Sequence, residues 1–405
     1  MLLAKENDVV LHEAEPRLGG HARTISAGLD RNRAVDTGFI VFNYINYPHL
    51  TSMFQKLDVQ VEKSNMCFGV TIDDGRLEYG LRNPAALFAQ RRNLVHPGFL
   101  GMVRDIFRFN SNAEAVARNG GMTIDELVEE LGLGRWFREC YLRPIGSAIW
   151  STGTSRIGEF PAETLVRFFR NHALLGVSGQ HQWWTVKGGS REYVNRLAKH
   201  LMGLGVQIRT SAPVKKVLRF GDHVRVVGSQ GPEAYDQVVL ACHSDQSLRL
   251  LERPTSAEQA TLSNIHFQNN DAVLHRDPGM MPRRRACWSS WVYQSSSGQD
   301  GQKVSITYWM NLLQNIPESD PLFVTLNPVR PIKDEAVYNR TVFRHPVYDR
   351  ATLAAQARIS DIQGKNRTWF AGAWTRNGFH EDGFASAARI ARSLTGMTLV
   401  HGATE

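Results

Sequence analysis

The stretch WFAGAWTRNGFHEDGFASAARIA, residues 369–391, constrains this chain more than any other. A buried strand delivers Gly372 and Ala373, a short polar loop follows, and Gly383 with the small Ala385 and Ser386 opens a final helix. Small residues at that point leave the first amides of the helix uncovered, and such an end suits a phosphate or a polarised carbonyl. It could equally receive the pyrimidine edge of a flavin. The neighbouring His380, Glu381 and Asp382 point in divergent directions as adjacent residues, and no second ligand cluster stands at useful spacing, so no metal is expected. The same three residues also suit a plain cap, with Asp382 at the N-cap position.

The other end of the chain carries a matching piece. LLAKENDVVLHEAE reads as a helix end, a polar turn and a strand from Val9 to Leu11 that closes on acids. This is the second half of a βαβ unit, in which the acid ending the second strand bonds ribose hydroxyls, and Glu13 holds that place. Arg17 and the Gly19-Gly20 doublet follow, where missing side chains let backbone lie close to a ligand. A strand ending in an ordinary turn accounts for Glu13 and the glycines about as well. GGSREYVNRLAKHLMGLGVQIR and YDQVVLAC supply further helix and strand pieces of the same kind.

Between these pieces lies different material. VDTGFIVF (35–42) reads as one strand, 47–57 as a short helix, and 71–79 as a hairpin around Asp73-Asp74-Gly75. From 84 to 175 the pattern is helical, with a capping box from Thr123 to Glu126. The stripe Phe99, Met102, Phe107 and Phe109 serves a plain core or an apolar ligand. Residues 265–345 alternate as a mainly antiparallel sheet. The expected organisation is therefore interleaved: 1–80, 186–250 and 350–405 form a dinucleotide-binding unit, and 81–185 with 251–349 form a substrate unit. Domains threaded in this way share one cleft, where ligands favour the interface.

With 405 residues and 42% apolar content, both units can bury a core. Four separated cysteines, Cys67, Cys140, Cys242 and Cys287, suggest neither zinc nor disulfides. No apolar run approaches the ~18 residues of a membrane span and no secretion signal opens the chain, so a cytoplasmic location is expected. The net charge of +8 suits a solvated surface, or attraction to an anionic substrate or to the inner face of an anionic membrane. No basic run interleaved with aromatics points to nucleic acid. No GxSxG or paired nucleophile is present, so any chemistry must come from a cofactor.

The segments EAEPRLGGHA, DTGFIVFNYINYPHL, TVKGGSREYV, MPRRRACWSSWVY, TYWMNLLQ, LFVTLNP and GFHEDGFASA, in this order, resemble the FAD-dependent amine-oxidase and phytoene-desaturase superfamily, in particular its bacterial NAD/FAD-binding branch. The resemblance implies an α/β fold: a Rossmann-like FAD-binding domain of the glutathione-reductase type, interleaved with an α+β substrate domain of antiparallel sheet and helices. It implies Glu13 on the adenosine ribose, Arg17, Gly19 and Gly20 along the pyrophosphate and ribityl, and Gly38 and Phe39 beside the isoalloxazine. It further implies backbone contacts from Val214 to adenine and from Gly372 to the pyrophosphate, with His380, Glu381, Asp382, Gly383 and Phe384 at the flavin.

The family places a strand and a GxGxxG loop before the LLAK-like helix end, and this sequence has neither. A start assigned too late is the expected reason, because Met1 falls in mid-helix; a truncated gene or a weak FAD binder are the others. The resemblance implies an FAD oxidoreductase that removes a hydride from an apolar, fatty-acyl or amine substrate. The rival expectation is an inactive remnant with a binding or scaffold role. NAD(P)H as the main ligand fits poorly with the distant C-terminal motif. No catalytic base is assigned: Lys303 and Lys333 do not align to one, and His345 and Tyr348 are expected to stabilise the domain junction.

Overall fold

The computed structural model describes residues 1–118, 121–150, 157–171, 175, 181–298 and 301–396, so residues 397–405 of the expected dinucleotide unit, and parts of the helical region, lie outside the described residues. Strand Val10–His12 pairs in parallel with Gln207–Arg209, and strand Val238–Leu240 pairs in parallel with Thr368–Phe370. These remain two separate pairs rather than one continuous sheet. Helix Arg191–Gly203 and the C-terminal helix His380–Thr395 pack beside them. The carboxyl ends of such strands are where α/β folds place ligands.

The second body is a seven-stranded sheet in the order 337–346, 267–275, 323–326, 301–309, 291–298, 68–72, 77–80. All neighbours are antiparallel except Trp291–Gly298 with Phe68–Ile72. The hairpin expected at 71–79 forms, with Asp73, Asp74 and Gly75 all at positive φ as a tight turn requires. It joins this sheet, so the second body draws on residues that sequence reading grouped with the first.

Helices cover one face of the sheet. Phe99, Met102 and Phe109 of helix Pro97–Ala117 are wholly buried against Tyr79 of the sheet and Ile124, Leu127, Phe137 and Phe169 of neighbouring helices. Phe107 stands apart from that stripe and is exposed. The Thr123–Glu126 capping box forms as expected.

Two local expectations are corrected. VDTGFIVF is two strands, Arg33–Asp36 and Val41–Phe42, because the chain breaks at Gly38 to pass against the His21 carbonyl. The last helix starts at His380, with Phe379 at the N-cap, and Asp382 sits one turn in, where its carboxylate accepts the Phe379 amide at 2.9 Å.

Candidate cofactor and substrate cavity

One cavity of about 1990 Å³ runs between the two bodies. Pockets for single small ligands measure roughly 300–1,000 Å³, so this one has room for a large cofactor and a substrate together. Glu13, Arg17, Gly19, Gly20, Gly38, Phe39, Gly372, His380, Gly383 and Phe384 all line it. Val214, Glu381 and Asp382 do not. Val214 packs into the apolar cluster of Val217, Leu240 and Phe370. Glu381 turns away to accept the amides of His49 (2.8 Å) and Leu50 (3.0 Å), tying the C-terminal helix to the start of helix Pro48–Lys56.

At the dinucleotide end, Glu13 follows directly on its strand, and its carboxylate accepts the Glu15 amide at 2.9 Å. Arg17 donates to the Gly20 carbonyl at 2.9 Å and so braces its own loop. A side chain at Gly20 would meet nothing within 4 Å, and the backbone there faces open cavity. On the opposite wall the Gly372 amide donates to Ser386 Oγ (3.0 Å), which donates to the Gly383 carbonyl (2.6 Å). The strand end and the first turn of the helix are thereby held together.

Where the bodies meet, His380 is half-buried, stacks on Phe39 at 4.2 Å and bonds Tyr193 Oη through Nε2 at 2.7 Å. Three more imidazoles share this wall. His21 lies 5.6 Å from His345 and 6.0 Å from His243, with Phe343 packed edge-on against it. Asn270 Nδ2 donates to His345 Nδ1 (2.8 Å). Burial, reinforced by mutual repulsion and by Arg17 and Arg344, pushes the imidazoles down: His243 and His380 to about 4, His345 to about 3, and His21 in the same direction. All four are neutral hydrogen-bonding groups at pH 7. His345 and Tyr348, expected at the domain junction, both line the cavity.

The far arm is mainly apolar, walled by Leu87, Val103, Ile106, Ile145, Phe169 and Trp291, with Asn110 Oδ1 and Trp291 Nε1 as buried polar atoms on it. A π turn over Arg138–Leu142 carries Tyr141 into this wall, a helix irregularity frequent at functional sites. The only carboxylates lining the cavity among the described residues are Glu13 and Glu15, and no lysine lines it, Lys303 and Lys333 included.

His21 and His243 escaped sequence reading because each is a lone histidine at a strand or loop end, and only the fold brings them together. Replacing His380 by Phe keeps the stack but strands the buried Tyr193 hydroxyl, at an expected cost of about 1–3 kcal/mol at neutral pH. The folded pKa of His380 lies below its ordinary value, so the unfolded chain takes the proton first and this stabilisation is lost as pH falls from about 6.5 through 4. The deficit of His380→Phe should therefore narrow on acidification, as urea unfolding at pH 7.5 and 4.5 would measure.

Two bodies sharing a cavity at strand ends, with an acid, a glycine pair and a helix N-terminus on its wall, suit a dinucleotide ligand. The family model of flavin containing amine oxidoreductases matches residues 1–395, and the chain belongs to that family, whose cofactor is FAD. Solved structures agree in fold. Cyclohexylamine oxidase from Brevibacterium oxydans IH-35A is 13% identical over 97% of this chain and 95% of its own, with a TM-score of 0.65. A CLA-producing fatty acid isomerase from P. acnes is 12% identical over 97% and 98%, TM-score 0.63. An oxidoreductase from Methanosarcina mazei is 13% identical over 98% and 97%, TM-score 0.64. No curated protein matches the chain.

The wall fits the cofactor. His243 Nδ1 and Tyr348 Oη are buried on it with no hydrogen-bond partner among the described residues, and unpaired buried polar atoms call for a polar ligand. The open space in front of Gly20 leaves room for that ligand beside the backbone.

Proposed function

We propose that this FAD-dependent oxidoreductase acts on an apolar, acyl-like substrate rather than on a cationic amine. The observation that carries this reading is the absence of any carboxylate in the far arm of the cavity among the described residues. A desolvated ammonium needs a carboxylate or an equivalent partner, whereas an alkyl chain needs only apolar wall. Arg82, at the arm's end, suits an anionic terminus on such a chain.

Glu13, Arg17, Gly19, Gly20, Gly38, Phe39, Gly372, His380, Gly383 and Phe384 would hold FAD. A bound flavin supplies the acceptor for a hydride leaving a C–H bond. The chain's own part is to place the substrate and to exclude water. Phe169, Tyr141 and Trp291 close the far arm around an alkyl chain, and the neutral His21, His243 and His345 bond a polar ligand without adding charge. Val214, Glu381 and Asp382 act from behind the wall.

Purified protein equilibrated with FAD should show the two visible bands of bound oxidised flavin. Glu13→Ala should weaken FAD binding roughly 10- to 100-fold, as loss of a charged hydrogen bond does. Under anaerobic conditions, long-chain fatty acids should bleach the bands while cyclohexylamine and putrescine leave them. Bleaching by the amines alone would overturn the substrate reading. A folded protein that stays colourless with FAD would point to a binding or scaffold role.

A further inference from the structure

The cavity reaches the surface at Leu81, Arg82 and Phe107, all of them exposed. Around this opening the surface is unusual in two independent ways. Leu81, Leu94, Val95, Leu100 and Phe107 account for five of the eleven large exposed hydrophobic residues among the described residues, and Val95 is 78% exposed. Solvated surfaces scatter such side chains singly, and a cluster marks an interaction site.

The second feature is charge. Between Leu81 and Asn112 the sequence carries five arginines, Arg82, Arg91, Arg92, Arg104 and Arg108, against a single acid. That acid, Asp105, is buried and already occupied by Arg104 and the Gly134 amide. Among the described residues no carboxylate pairs with Arg82, Arg91, Arg92 or Arg108. On helix Pro97–Ala117, Leu100, Arg104, Phe107 and Arg108 follow the i, i+4, i+7, i+8 spacing of one face. An arginine-flanked apolar surface is the pattern of a helix that lies in the headgroup layer.

We propose that this face, formed by residues 81–85, 91–97 and the outer side of helix Pro97–Ala117, docks on an anionic lipid bilayer with the cavity mouth against it. The arginines meet lipid phosphates, and Leu94, Val95, Leu100 and Phe107 enter the acyl boundary. No helix among the described residues is long and apolar enough to cross a membrane, and the contact is peripheral. It does not depend on which substrate the cavity takes, because binding to vesicles is read without turnover.

The test is co-sedimentation of the FAD-equilibrated protein with vesicles of phosphatidylcholine alone and of phosphatidylcholine mixed with phosphatidylglycerol. Binding is expected to the mixed vesicles, to weaken with added salt, and to be slight with phosphatidylcholine. The surface variants Arg91→Ser/Arg92→Ser and Leu94→Ser/Val95→Ser should keep the thermal midpoint, and the arginine pair should lower the partition coefficient roughly 30-fold. Wild-type protein left in the supernatant with anionic vesicles at low salt, or either variant binding as well as wild type, would overturn the proposal. So would concentration-dependent self-association in the absence of lipid that Leu94→Ser/Val95→Ser abolishes, which would assign the face to a second copy.

Discussion

Gly38→Ala is expected to cost about 4 kcal/mol or more and to leave little folded protein at 37 °C. A methyl group at position 38 would lie inside the contact radius of the His21 carbonyl oxygen, with Phe343 behind it. Neither side can yield easily. The His21 carbonyl already accepts the Phe39 amide at 3.0 Å, so moving it breaks a backbone bond, and both segments form the cavity wall. Clashes of side chain with backbone are costlier than overpacking among side chains, which costs about 1–3 kcal/mol, and rank with the severe class of single changes. Gly20→Ala is the matched comparison. It meets no neighbour, and only its φ of 55° opposes the change, at about 1 kcal/mol. Chemical denaturation of both variants with and without FAD would check the contrast. Equal stability of the two would mean that the backbone at Gly38 and His21 gives way to a methyl group at little cost.

The same glycine shows where sequence reading reaches its limit. VDTGFIVF has the composition of a continuous strand, and nothing in its periodicity announces that residue 38 must slip past a carbonyl seventeen positions earlier. Local patterns were legible where the cause is local: the Thr123 capping box, the Asp73-Asp74-Gly75 turn and the helix at 48–56 depend on residues within one turn of each other. Glu13 and the glycine pair were legible because strand, acid and loop are consecutive. His21 and His243 were not, and His345 pointed only to the domain junction, since lone histidines gain meaning only when three separate strand and loop ends converge. Adjacency in HEDG does not give a shared direction. Glu381 and Asp382 are neighbours of the cavity residues His380 and Gly383, yet a helix turns about 100° per residue, and both acids serve backbone amides behind the wall.

Asp36 has no local signature either, being one acid in a strand, yet the structure makes it the joint of the dinucleotide body. Its carboxylate, 1% exposed, accepts Thr24 Oγ1 at 2.6 Å, Ser190 Oγ at 2.7 Å, the Ser190 amide at 2.8 Å and Gln314 Nε2 at 3.1 Å. It thereby fastens the hairpin 24–36 to the start of helix Arg191–Gly203, whose Tyr193, Val194 and Leu197 line the cavity. Asp36→Ala leaves those donors buried and unpaired and is expected to cost about 3–5 kcal/mol. FAD affinity should fall with it, as the helix wall loosens. Asp36→Asn keeps the volume but presents an N–H to a donor, and should cost less. Burial raises the carboxyl to about 6 against the hydrogen bonds from Thr24 and Ser190 and the charge of Arg191, which oppose the rise. A folded pKa above the ordinary 3.8 means that the folded state binds the proton more tightly. The stability supplied by Asp36 is then greatest below pH 4 and declines as pH climbs through 6, by on the order of 3 kcal/mol. Neither variant titrates at this position, so the deficit of each relative to wild type should be larger at pH 4.5 than above pH 7. Urea titrations at the two pH values decide it: a deficit that grows with pH would show that the four donors hold the carboxylate ionised throughout.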